Sequence, residues 1–365
     1  MDASKYDKNF NIKSDNTDGL EYYGIPCEPF DLYGVFYEEK TGRFVRMPSD
    51  AAKEISRATY GLNSNTAGGR IRFSTDSERI CVSVKYETLS SRPHMSLMGG
   101  SGFVLSEERG DRTVFVYSFM PDHYANDKQT VTENGYTITK KVNDGKLKNY
   151  ILYFPNYNDV TELIIGLDSG ATVGHGKKYK AFKPVLYYGS SITQGACASR
   201  ADNSYSALIS KWTDTDFINL GFSGSACGEE KMAEYLAGID CSVFVCGYDY
   251  NAPDPEYLKK THYAFYRTYR EKRKDTPIIL ISNPDTDENR NQAEERVEII
   301  KRTYTAALAE GDKNVYFIDG KTLYGEADRE NCTVDGIHPN DLGFYKMATV
   351  IYGKIKEILG EIVCE

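Results

Sequence analysis

Long apolar runs are missing from this chain, and so is any excess of positive charge. No run approaches the length of about 18 residues that a membrane-spanning helix needs. The opening stretch MDASKYDKNFNIKSDNTDG lacks the apolar core of a secretory signal. A formal charge of −9, from 44 Lys and Arg against 53 Asp and Glu, offers little to nucleic acid or to anionic membrane surfaces, both of which reward clustered cations. The eight cysteines (Cys27, Cys81, Cys197, Cys227, Cys241, Cys246, Cys332 and Cys364) include no CxxC pair and no zinc-like spacing. Without a secretory signal they read as reduced thiols of a cytoplasmic protein, used mainly as small packing residues. Tryptophan is nearly absent, one residue against 29 tyrosines. Tyrosine suits half-buried strand faces and sugar-binding grooves, and strand packing accounts for most of it here. What remains is ordinary for a soluble globular protein: 40% hydrophobic and 27% charged residues in a chain of 365, long enough for two cores.

The pattern changes near residue 180. Before it, ICVSVKYE alternates Ile80, Val82, Val84 and Tyr86 against Cys81, Ser83 and Lys85, the period of a half-buried strand. RTVFVYSFM, YTITKKV, KNYILYFP and ELIIGLD continue in that manner, separated by the turn signals MGGSG, ENG and NDG. Such a series predicts an antiparallel sandwich or jelly roll over residues 1–180, with GATVGHGKKYKAFKP as a linker. Over 181–365, the apolar runs PVLYYG, DFINLGF, CSVFVCGYDY, TPIILISNP and NVYFIDG alternate with helical segments. Pro255 sits near a first helical turn, and Phe344, Met347, Ile351, Ile355, Ile358 and Ile362 mark one face of a final helix. Alternating units predict a parallel sheet with helices on both faces, and ligands at the carboxyl ends of its strands.

Four segments fall at such ends. In YYGSSITQG, Ser191 stands in a turn after a strand, with a helix expected to begin soon after Gly195. A surface loop would use the same residues, but a serine displayed there can also be a nucleophile with its backbone N–H aimed at an anion. A nucleophilic serine needs a base, and the base needs a carboxylate to hold its tautomer. In DGIHPNDLG, Asp335 precedes His338 by three residues and supplies such a pair, while Asn340 or Asp341 can cap the helix that follows. In NLGFSGSACGEE, Gly224 allows a close backbone approach to an oxyanion, or serves as a plain strand-to-helix turn. In VFVCGYDYNAP, Asn251 is a further amide donor or a turn cap before Pro253.

The order Ser, Gly, Asn, His over these blocks resembles the SGNH superfamily, also called GDSL-like esterases and acylhydrolases. That likeness implies a flavodoxin-like α/β/α domain in which Ser191, His338 and Asp335 are the catalytic triad. The backbone N–H groups of Ser191 and Gly224 and the Asn251 amide would form the oxyanion hole. Two positions depart from the pattern: Ser190 stands where an Asp is common before the serine, and Asn251 is flanked by Tyr250 and Ala252 rather than by Gly-x and Asp. In the other half, FDLYGVFYEEKTGRFVRMP, RIRFSTDSERI and RPHMSLMGGSGF resemble the GxDLY-type sandwich domain that precedes some bacterial SGNH domains.

The resemblance implies hydrolysis of short acyl esters, acetyl above all, on carbohydrate or small-molecule substrates. It needs no metal or organic cofactor and no nucleic-acid or membrane partner; a homodimer is one option for assembly. Alternatives are a thioesterase or lysophospholipase-type acylhydrolase, set lower because no amphipathic lid is apparent, and a sugar-binding protein with a vestigial hydrolase domain. His123, His175 and His262 stand in polar or helical surroundings with no nucleophile block nearby. His94 reads first as a packed core histidine. The segment around it, with Gly99, Gly100 and Gly102 permitting close approach, is nonetheless expected to wall the cleft through His94 and Met95.

Overall fold

The computed structural model describes residues 14–120, 134–180, 183–284 and 289–363. His123 and Cys364 lie outside them. The amino-terminal half is a sandwich of antiparallel sheets. One sheet has the order β1 (Leu20–Ile25), β11 (Val160–Asp168), β6 (Arg79–Tyr86) and β9 (Gly135–Lys141). The other runs β12 (Val173–His175), β5 (Arg70–Thr75), β10 (Lys148–Tyr153), β7 (Phe103–Arg109) and β8 (Arg112–Phe119), with β2 (Asp31–Tyr33) also paired to β5. A small hairpin joins β3 (Phe36–Glu38) to β4 (Arg43–Val45). Ile80, Val82, Val84 and Tyr86 of β6 are buried in the core between the sheets, as their alternation predicts.

Three local features differ from the sequence reading. Two short helices, α1 (Ser49–Ile55) and α2 (Arg57–Leu62), interrupt the β series; at seven and six residues they are too brief to show a helical period. MGGSG, read as a turn signal between strands, lies on a single helical turn, α3 (Leu97–Ser101), capped by the Ser96 hydroxyl. The expected linker over 170–184 contributes β12, which pairs with β5; a three-residue edge strand containing Gly174 carries no periodic signal.

In the carboxyl-terminal half, all five apolar runs are strands of one parallel sheet. They are β13 (Val185–Gly189), β14 (Phe217–Gly221), β15 (Val243–Gly247), β16 (Ile278–Ile281) and β17 (Val315–Ile318). The order β14-β13-β15-β16-β17 is the doubly wound 2-1-3-4-5 arrangement of flavodoxin-like folds. Its helices are α4 (Ser191–Gln194), α5 (Tyr205–Thr213), α6 (Glu230–Leu236), α7 (Pro255–Lys272), α8 (Ala293–Ala309) and α9 (Asp341–Val363). Strand alternation on β13 assigns the layers: Val185 and Tyr187 join the core under α5 and α9, while Leu186 and Tyr188 join the core under α6, α7 and α8. Pro255 occupies the first turn of α7 behind an Asp254 cap, and Phe344, Met347, Ile351, Ile355 and Ile358 form the buried stripe of α9. Among the described residues, no helix is long and apolar enough to cross a membrane.

His262 of α7 is buried, with its Nδ1 2.8 Å from the Thr303 hydroxyl of α8. Burial drives its pKa down from 6.5 to about 4. The neutral ring therefore stabilises the fold above pH 6.5, and that stability is lost as pH falls through about 4. His262→Gln should remove this dependence. The stability difference between the parent and the variant should shrink by about 3 kcal/mol from neutral pH to pH 4 in denaturant titrations. A pH-independent difference would contradict it.

Candidate active site

The carboxyl ends of β13, β14 and β15 are laced together by backbone hydrogen bonds. Phe222 N–H donates to Gly189 O at 2.8 Å, and Ser190 N–H donates to Gly247 O at 3.3 Å. On this frame the Ser190 hydroxyl accepts from Ile192 N–H at 3.2 Å and caps α4, so the stand-in for the common Asp acts as a helix cap. The helix begins at Ser191 itself and ends at Gly195, whose left-handed φ of +100° stops it. The longer helix α5 starts only at Tyr205, later than the sequence suggests. A serine on a one-turn helix directly after a strand is held rigidly, with its first N–H pointing out of the turn.

Ser191 Oγ lies 3.0 Å from His338 Nε2. The other ring nitrogen, Nδ1, is 2.7 Å from Asp335 Oδ2. The second carboxylate oxygen of Asp335 accepts the backbone N–H groups of Ile337 at 3.0 Å and His338 at 2.8 Å. Partial burial pushes the Asp335 carboxyl up, but the hydrogen bonds from the His338 ring and from these two N–H groups outweigh it, leaving it below the ordinary value. Asp335 thus stays ionised and fixes the imidazole with Nε2 facing Ser191. Asn340 accepts Gly343 N–H at 3.1 Å, so the same loop also caps α9.

Gly224 adopts φ +66°, the left-handed region, in the loop after β14. Among the described residues neither its N–H nor that of Ser191 donates to a partner. Asn251 ends a short 3₁₀ turn and donates its Nδ2 to Phe222 O at 2.9 Å, at the entrance of the Gly224 loop. One amide hydrogen is used in this way, and among the described residues the other donates to no partner.

Gln194 was not legible as a site residue. It is fully buried; its Oε1 accepts Ser223 N–H at 3.0 Å, and its Nε2 donates to Asn65 Oδ1 at 3.1 Å and Asn156 O at 3.0 Å. One side chain thus ties the Ser191 turn to the Gly224 loop and both to the sandwich. Tyr157 adds a hydroxyl donated to Ser191 O at 3.3 Å.

The sandwich reaches the site through the segment that carries His94 and Met95. Ser96 Oγ donates to Ser199 O at 2.8 Å, and a Cβ on Gly99 would stand 2.0 Å from Ala198 O, so only glycine admits this approach. His94 is exposed rather than packed in a core, because α3 carries its loop over the strand ends. Its ring centroid is 5.5 Å from that of His338. Met95 packs on Tyr157, Ala196 and Cys197. Cys197 is buried at φ +66°, and burial, followed by the negative charge of Asp335, pushes its thiol up to about 12. A thiol held neutral in this way is no competitor to Ser191 as nucleophile. The ligand atoms of His94, Cys197 and His338 all lie within 4.8 Å of one another, the grouping among the described residues that could hold a metal. Cys227 and Cys332 sit elsewhere, their Sγ atoms 3.4 Å from Asn251 O and from Asp328 O respectively.

Two family models meet on this chain. Residues 182–356 match the GDSL-like lipase/acylhydrolase family, and residues 20–173 match the N-terminal domain of SGNH-hydrolase-type esterases. The chain belongs to the SGNH-type, GDSL-like hydrolases. Its fold is similar to that of a GDSL-like lipase from Bacteroides ovatus, at 28% identity and TM-score 0.81, covering 93% of this chain and 98% of that one. A salicylyl-acyltransferase from a tetracycline biosynthetic pathway shares the fold at 16% identity and TM-score 0.71, over 92% and 96% of the two chains. A family two carbohydrate esterase from Cellvibrio japonicus does so at 12% identity and TM-score 0.62, over 93% and 98%. A comparison with curated proteins gave no match. The protein is an esterase or acylhydrolase of the SGNH type, built as a parallel α/β domain behind an antiparallel sandwich.

Proposed function

We propose that this SGNH hydrolase removes short acyl groups, acetyl above all, from carbohydrate esters by a Ser191–His338–Asp335 triad. The observation that carries the reading is the continuous relay of 3.0 Å from Ser191 Oγ to His338 Nε2 and 2.7 Å from His338 Nδ1 to Asp335. His338 takes the Ser191 proton as Oγ attacks the ester carbonyl, and Asp335 stabilises the imidazolium that forms. The tetrahedral oxyanion meets the unpartnered N–H groups of Ser191 and Gly224 and the remaining amide hydrogen of Asn251. Collapse expels the alcohol, which receives the proton from His338; water then enters by the same steps and releases the acid.

Carbohydrate as the leaving group is supported by the sandwich wall at the cleft, where exposed His94 offers a polar contact beside His338. The fold shared with carbohydrate esterases is consistent with it. The test is a panel of p-nitrophenyl esters from acetate to laurate followed by acetylated oligosaccharides. Preference for acetate and release of acetate from sugars support the reading, whereas a maximum at laurate overturns it.

Asn251→Ala should lower kcat by about 10²–10³ with little change in KM, the effect of losing one oxyanion donor. A change confined to KM would place Asn251 outside the oxyanion hole.

A further inference from the structure

We propose that His94, Cys197 and His338 form a binding site for a soft or borderline divalent cation of the Zn²⁺ class, and that its occupation switches the esterase off. Two imidazoles and a thiol are the donor set such ions prefer over hard, oxygen-seeking cations. Their ligand atoms already lie within 4.8 Å of one another. Tetrahedral bonds of about 2.0 Å to nitrogen and about 2.3 Å to sulfur bring such atoms to roughly 3.5 Å, so a shift of about an ångström closes the site. That shift falls to His94, whose side chain is exposed and free to change rotamer, while Ser96 on Ser199 and Gly99 on Ala198 keep its backbone in reach.

The geometry of His338 decides the consequence. Its Nδ1 is held by Asp335 at 2.7 Å, so Nε2 is the nitrogen left for a metal. That pairing is also the carboxylate–histidine support that raises a metal-bound imidazole's basicity and fixes its orientation. Nε2 is the same atom that faces Ser191 Oγ at 3.0 Å, so a bound cation takes the lone pair that would accept the serine proton. Binding converts the Cys197 thiol to a thiolate and releases its proton to solvent, while both imidazoles bind neutral. Water or Ser191 Oγ completes the fourth position. Because His94 comes from the sandwich and the other two ligands from the α/β half, the ion would also clamp one onto the other across the cleft. The sequence hides this site, since its ligands are separated by about a hundred residues or more and follow no zinc-like spacing.

The inhibitory consequence rests on the reading of His338 as the base; the metal site itself does not, and the experiment separates the two. Full-length Ser191→Ala protein is titrated with CoCl₂ and followed for Co²⁺–thiolate charge-transfer absorption. In parallel, p-nitrophenyl acetate hydrolysis by the parent protein is measured with ZnCl₂, with MgCl₂, and after EDTA. The charge-transfer band is expected with Ser191→Ala and lost with Cys197→Ala. Zn²⁺ is expected to suppress hydrolysis reversibly where Mg²⁺ does not, and Cys197→Ala and His94→Ala should each raise the Zn²⁺ concentration needed by about tenfold or more. Cys227→Ala should leave Zn²⁺ inhibition unchanged. Absence of the band in Ser191→Ala, or equal Zn²⁺ sensitivity in the parent and both ligand variants, overturns the site. A band that forms while hydrolysis continues undiminished keeps the site but overturns the switch, and with it the assignment of His338 as base.

Discussion

Ser191→Ala is expected to remove ester hydrolysis almost completely, a fall in kcat on the order of 10⁴ or more, while the protein still folds. The size of the effect follows from the role, since without Oγ there is no acyl intermediate and water must attack the bound ester unaided. The fold survives because the Ser191 hydroxyl supports little else: among the described residues its hydrogen bond is to His338 Nε2, and the helix cap belongs to Ser190. His338→Ala should cost nearly as much, and the double variant little more than either alone, because the two residues act as a unit. Initial rates with p-nitrophenyl acetate and a thermal melt give both halves of the result. Retained hydrolysis in a folded Ser191→Ala protein removes Ser191 as nucleophile.

The residues that meet at the strand ends were legible because each sits in a short motif with local causes. Asp335 and His338 are three apart, and their relation is set by one loop; Ser191 follows an apolar strand and precedes a glycine. The parallel sheet was legible for the same reason, each strand being a short buried run between polar helices. What was hidden depends on contacts distant in sequence. Gln194 reads as a polar residue in a small turn, and only the approach of Asn65, 129 positions away, and of Asn156 makes it a strut. His94 is ambiguous in RPHMSL because its exposure is decided by where α3 lies on the other half of the chain. Arg70 and Arg72 in RIRFST alternate with apolar residues and would by period alone face solvent, yet both side chains are fully buried. Covering by the second half of the chain overrides the pattern.

That covering is the ground for the second large effect: Arg70→Ala should destabilise the protein by about 3–5 kcal/mol. The Arg70 side chain is buried on β5 and ion-paired with Asp216. Its Nε donates to Tyr179 Oη at 2.6 Å, and its Nη1 donates to Gly68 O at 2.7 Å and Phe217 O at 3.2 Å. The guanidinium also lies 4.1 Å from the centroid of the Phe217 ring. Asp216 and Phe217 stand at the start of β14, so a single planar cation pins the sandwich to the sheet that carries the active site. Neighbouring arginines repeat the device: Arg72 pairs with Glu108 and lies 3.5 Å from Asp214, and Arg46 donates to Gly221 O at the other end of β14. Truncation leaves two carbonyls and a partly buried carboxylate without their donor, which costs more than the pair itself contributes. Arg70→Lys should recover only part of the loss, since one ammonium cannot reproduce a fork that serves four acceptors in one plane. Denaturant unfolding followed by both far-UV circular dichroism and the fluorescence of Trp212, which lies in the α/β half, gives the measurement. The parent should unfold with the two signals together, and Arg70→Ala should shift the midpoint down and separate them as the halves lose their coupling. A midpoint within about 0.5 kcal/mol of the parent, with the signals still coincident, would show that the interface stands without this residue.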